Sequence, residues 1–278
     1  MTRLAVIDCG TNTFNLLIVE VKDRPNYSKI FQTRIAVKLG EKVINEGFIS
    51  DSAYQRGINA LGVYKEYCEN YKVDQIVAVA TSAIRDASNG EKFVAEVSEK
   101  LNISIQVIDG EREAELIYRG NKEAVVMQEH ASLIMDIGGG SNEYIIATKQ
   151  KILWKCSFNI GAARILEKFK LSDPITTSEI TDLTNYLLQE LQSLTKAVKE
   201  FKPIELIGSS GAFDTFIEMI HAELMGEPLL SGKTEYKIDL INYNKIAERI
   251  KSSTLEERKA MKGLIPMRVD MIVISCVR

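Results

Sequence analysis

The chain contains one pattern twice, and this repetition restricts the folds that it can adopt. An apolar segment, an aspartate, a glycine turn with small polar residues and a second apolar segment occur in LAVIDCGTNTFNLLIVEV, residues 4–21, and again in LIMDIGGGSNEYII, residues 133–146. Short apolar runs that are rich in β-branched residues and separated by such turns predict β-hairpins. The two aspartates, Asp8 and Asp136, lie 128 residues apart, which is about the length of one domain.

Both halves continue in a similar way, with a third strand and then strands that alternate with helices. We predict this third strand over 27–39 in the first half, and one long helix over 177–201 and a helical tail over 267–278 in the second. The order predicts an α/β fold made by duplication of one unit, with mixed sheets flanked by helices. We expect domains at 1–126 and 127–278, with the active site in the cleft between them.

Composition excludes several classes of protein. The chain is 45% hydrophobic and 26% charged, and its net charge of −3 gives no general attraction to nucleic acid or to an acidic membrane. The four cysteines are scattered and form no C-x-x-C pair, and two histidines are too few for a histidine-rich metal centre. No apolar run is long enough to span a membrane, and the chain starts almost directly on a strand, which leaves no room for a signal peptide. We therefore expect a cytoplasmic protein without nucleic-acid or membrane partners.

The two glycine turns are candidate phosphate-binding sites. Glycines allow positive φ angles and close approach of the backbone, and successive N–H groups in such turns form nests that bind anions. The aspartate before each turn, Asp8 or Asp136, can hold a Mg²⁺ ion that bridges to phosphate oxygens. Ordinary hairpin turns, with Asp and Asn present for turn geometry, are the alternative. The candidate phosphate ligands are Gly10, Thr11, Asn12, Thr13, Gly138, Gly139, Gly140 and Ser141.

A third glycine turn, IGSSGAF at 207–213, follows a predicted strand and precedes a predicted helix. Backbone N–H groups at the start of a helix can hold a phosphate. A simple strand–helix junction with serine as the N-cap remains the alternative. The candidate ligands in this turn are Gly208, Ser209, Ser210 and Gly211.

Six sequence blocks, taken together in this order, resemble the exopolyphosphatase / guanosine pentaphosphate phosphatase family of the actin-like ATPase superfamily. They span nearly all of the chain and are DCGTNTFNLLI, ATSAIRDASNG, IDGEREAELIYRG, DIGGGSNE, NIGAARILEKF and MRVDMIV. The resemblance implies two actin-like (ribonuclease H-like) domains. It also implies a hydrolase that releases terminal orthophosphate from inorganic polyphosphate or from guanosine pentaphosphate, a nucleotide of the stringent response. The implied cofactor is Mg²⁺ or another divalent cation.

The resemblance also assigns roles by position. The family's catalytic glutamate falls on Glu113. The glutamate that closes the second turn block falls on Glu143, which shares the catalysis or holds the metal together with the two turn aspartates. Arg85 matches an arginine that faces the cleft and can take phosphate oxygens in a bidentate fork. From the residues alone, a solvated helix start around Glu113 and a helix-cap pair of Arg85 with Asp86 remain open.

Some positions differ from the family pattern, and other functions are compatible with the turns. Arg112 stands where the family has the first glutamate of a Glu-Glu pair, and the chain stops at SCVR, inside the predicted last helix, where relatives continue. An actin-like kinase or ATPase is one alternative function. A non-catalytic sensor that binds guanosine penta- or tetraphosphate is another. The helix over 177–201 is a candidate homodimer surface, which the sequence leaves open.

Overall fold

The structure of the protein is a computed structural model that describes residues 1–22, 26–41, 43–230 and 232–277. The chain divides into two compact units, Met1–Asp109 and Gly110–Arg278. The helix over 110–124, predicted to close the first domain, belongs to the second unit because it packs on strands of the second sheet. The division therefore lies before Gly110 rather than after residue 126.

The first unit is built on a five-stranded mixed sheet with the order β3-β2-β1-β4-β5. Its strands are β1 (Thr2–Cys9), β2 (Thr13–Val21), β3 (Tyr27–Ala36), β4 (Gln75–Ala80) and β5 (Ile105–Val107). Its helices are a 3₁₀ turn (Ile44–Glu46), α1 (Asp51–Asn70), α2 (Ser82–Arg85) and α3 (Gly90–Leu101). Alternate residues of β1 and β2, such as Ile7 and Leu16, are fully buried and form the core with side chains of α1 and α3.

The second unit is built on a four-stranded sheet with the order β8-β7-β6-β9. Its strands are β6 (Ser132–Ile137), β7 (Asn142–Ala147), β8 (Ile152–Phe158) and β9 (Glu205–Ser209). Its α-helices are α4 (Gly110–Ala124), α5 (Ala162–Phe169), α6 (Thr177–Glu190), α7 (Gln192–Phe201), α8 (Gly211–Met219), α9 (Leu240–Ser252), α10 (Leu255–Lys259) and α11 (Ile272–Ser275). A π-helical segment (Ile220–Met225) continues α8, and a 3₁₀ turn (Pro266–Arg268) precedes α11.

Both faces of the second sheet are covered. Met135, Ile137 and Tyr144 point to the larger core, which also contains side chains of α5, α6 and α9. Ile134 and Ile145 point to the opposite face, where they pack with residues of α4. This double coverage explains why every residue of β7 is buried.

The predicted duplication is present in the pairing register. In each unit the first two strands form an antiparallel hairpin, and the first strand pairs in parallel with the strand that follows the next helices. Asp8 lies opposite Asn15 in the first hairpin, and Asp136 lies opposite Glu143 in the second. The predicted fold class, mixed sheets flanked by helices, is confirmed.

Two predicted helices are interrupted. The stretch 177–201 forms α6 and α7 rather than one helix, because Leu191 between them leaves helical geometry, with φ −92° and ψ 20°. No glycine or proline marks this break, and it brings Leu187 of α6 and Leu194 of α7 into the same core. The described part of the second stretch, 267–277, forms the end of a 3₁₀ turn and the single turn of α11 instead of a continuous helix, and residue 278 lies outside the described residues.

Candidate functional site

A row of four polar side chains crosses the second sheet where β6 and β9 end. Asp136 pairs directly with Glu143 on one side and with Ser209 on the other, and Glu143 pairs with Ser157. Directly paired residues of neighbouring strands project from the same face of a sheet, so all four side chains lie on one face. We call Ser209, Asp136, Glu143 and Ser157 the carboxylate row. Glu143 is 1% exposed, and the Ser157 hydroxyl donates a 2.7 Å hydrogen bond to its Oε1 atom.

Helix α4 crosses the face that carries the carboxylate row. At the start of α4, a Cβ added to Gly110 would lie 2.3 Å from the Cβ of Ser157, so only glycine allows this close approach. Towards its end, the Asn121 side chain donates a 3.2 Å hydrogen bond to the Ser209 hydroxyl. Between these contacts, Ala114 is fully buried in the small core on this face. The inward side of α4 therefore extends from one end of the row to the other.

Glu113 lies in the first turn of α4, on the side that faces the row. It is three residues after Gly110, which touches Ser157, and four residues before Ile117, which packs in the same small core. Residues three and four apart share one face of a helix. The geometry therefore directs the half-buried Glu113 towards the Ser157 end of the row. The alternative of a fully solvated helix start does not apply to this side chain.

The start of α4 is fixed to β8 by a lysine that sequence reasoning missed. Lys155 Nζ donates to Glu115 at 2.7 Å and to the backbone oxygen of Glu111 at 3.0 Å. Arg112, which departs from the family pattern, donates to the other Glu115 oxygen at 2.9 Å. These two hydrogen bonds, from Lys155 first and then from Arg112, lower the pKa of Glu115. Lys155 and Ser157 are two residues apart on β8, so they lie on the same face of the sheet. This spacing was the available sign in the sequence that Lys155 faces α4.

The second glycine turn is held by α5. The backbone N–H groups of Gly161, Ala162 and Ala163 donate to the carbonyls of Gly140, Gly138 and Gly139, at 3.2, 2.9 and 2.9 Å. The Arg164 Nε atom adds a 2.8 Å hydrogen bond to the Gly140 carbonyl. In a trans peptide the C=O and the next N–H point in opposite directions. The N–H groups of Gly139, Gly140 and Ser141 therefore point away from α5, as a phosphate-binding nest requires.

The first glycine turn is held in a comparable way by the segment after β3. Leu39 N donates to the Thr11 carbonyl at 2.7 Å, and the backbone N–H groups of Val37 and Lys38 donate to the Asn12 carbonyl at 2.9 and 3.0 Å. By the same peptide geometry, the N–H groups of Asn12 and Thr13 point away from this segment. Sequence reasoning found both turns but missed the segments that orient them.

Asp8 occupies in the first unit the position that Asp136 has in the second. Asn15 Nδ2 donates a 3.1 Å hydrogen bond to Asp8 Oδ2. Burial raises the pKa of the Asp8 carboxyl, and the hydrogen bond from Asn15 offsets part of this shift because it stabilises the charged form. Thr11, in the adjoining turn, is 4% exposed.

Arg85 ends the short helix α2 and is already engaged. Its Nε atom donates to Asp86 Oδ1 at 3.1 Å, and its Nη1 atom donates to the backbone oxygen of Ile108 at 3.2 Å. The Arg85–Asp86 pair that the residues alone left open is thus formed. The binding of phosphate by Arg85 stays a prediction.

The third glycine turn, at the end of β9, contains a strained residue. Ser210 has φ 65° and ψ −172°, a region that is almost exclusive to glycine and costs about 1–3 kcal/mol. Ser210 is the N-cap residue of α8, but its hydroxyl donates to the Ile137 carbonyl at 3.4 Å and makes no capping hydrogen bond. Arg268, which sequence reasoning missed, donates to the Gly211 carbonyl and, at 2.8 Å, to the Thr215 hydroxyl. The MRVDMIV block thus supports this turn.

The carboxylate row contains two side chains that are suited to a divalent cation, Asp136 and Glu143. Within residues 1–22, 26–41, 43–230 and 232–277, no group of three or more His, Cys, Asp and Glu side chains is arranged to hold a metal. Mg²⁺ is usually bound by one or two carboxylates together with substrate phosphates and water. Asp136 and Glu143 supply two carboxylates on one face beside the second glycine turn, so this pair fits Mg²⁺. Asp8 supplies one carboxylate in the first unit.

Comparisons with known proteins agree with the family resemblance. The model of the Ppx/GppA phosphatase family matches residues 17–277. A bifunctional 3-dehydroquinate synthase/phosphatase of Fusobacterium nucleatum is 31% identical over 97% of this chain, and this chain spans 41% of that protein. Exopolyphosphatase 2 of Mycobacterium tuberculosis is 28% identical, with 98% of this chain and 87% of the relative covered. The crystal structure of an exopolyphosphatase from Cytophaga hutchinsonii has a TM-score of 0.96 at 39% identity and covers 99% of this chain and 88% of that chain.

These findings confirm the resemblance drawn from the six blocks and the expected enzyme class, a phosphatase. They favour the hydrolase over the kinase and the sensor. In the described part of the chain no helix is both long and apolar enough to cross a membrane. The roles of the individual site residues stay predictions.

Proposed function

Because the chain belongs to the Ppx/GppA phosphatase family, we propose that it hydrolyses the terminal phosphoanhydride bond of inorganic polyphosphate or of guanosine pentaphosphate and releases orthophosphate. The observation that carries this proposal is the carboxylate row beneath the start of α4, next to a glycine turn whose N–H groups point outward. Hydrolysis of a phosphoanhydride requires a positioned water, neutralisation of the phosphate charge and an in-line leaving group. The carboxylate row can position the water, and the glycine turn can neutralise part of the phosphate charge.

We assign the general base to Glu113. The water oxygen attacks the terminal phosphorus, its proton passes to the Glu113 carboxylate, and the phosphoanhydride P–O bond breaks with its electron pair on the leaving phosphate oxygen. Glu143 is held by the Ser157 hydroxyl in one orientation, so it is prepared to orient the water or to bind a cation. Backbone N–H groups of Gly139, Gly140 and Ser141 are expected to bind the oxygens of the transferred phosphate.

Asp136 and Glu143 would hold Mg²⁺, which supplies neutralisation of the phosphate charge when it is bound. Asp8 is expected to contribute in the same way from the first unit. We further propose that the protein acts in the cytoplasm, in line with its four free cysteines.

The test is orthophosphate release from tripolyphosphate, long-chain polyphosphate, guanosine pentaphosphate and ATP, each with Mg²⁺ and with EDTA. We expect release from at least one of the first three substrates, and we expect EDTA to abolish it. A folded protein that binds these compounds and releases no orthophosphate from any of them would contradict the proposal. Preferential turnover of ATP would contradict the proposed substrate class.

A further inference from the structure

The first unit carries a row that corresponds to the carboxylate row, with different chemistry. By the same pairing register, Asp8 pairs with Val79 on one side and with Asn15 on the other, and Asn15 pairs with Arg34. Asp8 stands where the second unit has Asp136, Asn15 stands where it has Glu143, and Arg34 stands where it has Ser157. The duplicated position of a buried carboxylate is thus an amide, and the position of a hydroxyl is a guanidinium.

This exchange removes the base and adds a cation. The carboxylate row contains Glu143, whose carboxylate accepts a hydrogen bond from Ser157. In the row of the first unit the Asn15 amide donates to Asp8 instead, and an amide cannot take a proton from water at neutral pH. The row of the first unit therefore lacks the group that would activate water, while Arg34 adds a positive charge.

Among the described arginines of this unit, Arg34 is the one that is left for a ligand. Arg3 is paired with Glu20, Arg56 with Glu41 and Arg85 with Asp86. The Arg34 side chain is exposed, and no hydrogen bond or ion pair joins it to another of the described residues.

The position of Arg34 places its charge beside the first glycine turn. It lies near the end of β3, and the next pairs along the same ladder are Ile35 with Phe14 and Ala36 with Thr13, at the edge of the turn. Neighbouring strands are about 4.8 Å apart, so the backbone of Arg34 is about 10 Å from that of Asp8, with Asn15 between them.

We propose that Arg34 binds a phosphate group of the substrate at the first glycine turn, and that Arg34 and Asn15 take no proton in the reaction. This rests on the proposed phosphoanhydride hydrolase function. The guanidinium forms two parallel hydrogen bonds with phosphate oxygens, and the N–H groups of Asn12 and Thr13 lie at the same end of the hairpin. A ligand that has several linked phosphates, such as tripolyphosphate, fits this arrangement better than orthophosphate.

A binding residue and a catalytic residue give different kinetic signatures. Loss of an interaction that is equal in the ground state and in the transition state raises KM and leaves kcat unchanged. Loss of one hydrogen-bonded charge pair corresponds to a change of roughly 10-fold to 100-fold in kcat/KM. Arg34→Lys keeps the charge and loses the fork, so its effect should be smaller than that of Arg34→Met.

The experiment compares wild type, Arg34→Met, Arg34→Lys and Lys29→Met. Lys29 is an exposed cation on the same strand, away from the turn, and its ammonium bonds Gln32, so Lys29→Met controls for the change in net charge. Three quantities are measured for each variant: kcat and KM for orthophosphate release, and the Kd of tripolyphosphate by calorimetry. We expect Arg34→Met to raise both KM and Kd at least 10-fold with kcat within about 2-fold of wild type, and Lys29→Met to match wild type.

Two results would overturn the inference. If Arg34→Met has the KM and Kd of Lys29→Met, Arg34 is only a charge on an edge strand. If Arg34→Met lowers kcat and leaves Kd unchanged, Arg34 takes part in the chemistry instead of binding the substrate. The calorimetric arm separates this inference from the proposed function: a wild type that binds tripolyphosphate without releasing orthophosphate contradicts the hydrolase function, and the Kd of Arg34→Met still decides the role of Arg34.

Discussion

Gly161→Ala tests whether the contact between α5 and the second glycine turn sets the geometry of the phosphate nest. A Cβ at position 161 would lie 2.3 Å from the carbonyl oxygen of Gly139 and 2.4 Å from the carbonyl carbons of Gly139 and Gly140. These are backbone atoms, so no side-chain rotation relieves the clash. Reaching even 3.0 Å requires α5 and the turn to separate by at least about 0.7 Å, because Cβ atoms essentially never lie closer than that.

The magnitude follows from the contacts that this separation stretches. Three backbone hydrogen bonds from residues 161–163 to the turn are weakened, and each contributes about 0.5–1.5 kcal/mol net. Overpacking of a tight contact costs about 1–3 kcal/mol. Because the two costs describe the same displacement, we expect a loss of about 2–4 kcal/mol in the free energy of unfolding. A displacement of about 1 Å at the nest should lower kcat/KM about 100-fold.

The assay is urea unfolding together with orthophosphate release, at a urea-free condition where the variant is still folded. Gly120→Ala is the matched control: Gly120 lies in α4 of the same unit, and a Cβ there meets nothing within 4 Å. Alanine in place of a helical glycine should stabilise by about 0.5–1 kcal/mol and leave activity unchanged. A Gly161→Ala variant that matches wild type in both stability and activity would refute the proposed support of the turn by α5.

Two further perturbations test the packing and the charges of the second unit. Arg258→Met should lower the free energy of unfolding by about 2–3 kcal/mol in urea titrations. The 5%-exposed guanidinium donates to Asp173 and to the carbonyls of Val269 and Ser253, and the variant loses these bonds. A change below about 0.5 kcal/mol would show that the bonds do not stabilise the native state. Glu179→Gln should remove one source of acid sensitivity. Hydrogen bonds, led by that from the Thr176 backbone, lower the pKa of Glu179 to about 2 from 4.5. Since the folded pKa is the lower one, the stabilisation is complete above pH 4.5 and is lost as the pH falls towards about 2. The difference in free energy of unfolding between wild type and variant should therefore be largest above pH 4.5 and shrink as the pH falls towards about 2, and a constant difference would contradict the lowered pKa.

Local signals in the sequence were sufficient for the two hairpins. The apolar runs, the glycine turns and the equal seven-residue spacing from Asp8 to Asn15 and from Asp136 to Glu143 are all visible in the sequence. An antiparallel hairpin with such a turn fixes its own register, so the pairing of Asp136 with Glu143 follows from local chemistry.

Other parts of the candidate site depend on contacts between distant segments. Ser209 joins the row only through pairing with a strand far along the chain, and Lys155 donates to a glutamate of α4 that lies 40 residues before it. The assignment of α4 to the second unit likewise depends on packing rather than on its own sequence. The backbone of Ser210 could not be predicted, because serine rarely adopts that region without support such as that given by Arg268 at Gly211.

The most direct test of the account is the rate of orthophosphate release by Glu113→Gln beside Glu111→Gln. Both glutamates lie in the first turn of α4, but Glu111 is exposed, while Glu113 is on the side that faces the carboxylate row. We expect Glu113→Gln to lower kcat by about 100-fold to 10,000-fold, the range for loss of a general base, with little change in KM. Glu111→Gln should retain wild-type activity. Equal activity of the two variants would contradict the assignment of the base and, with it, the placement of the reaction at the start of α4.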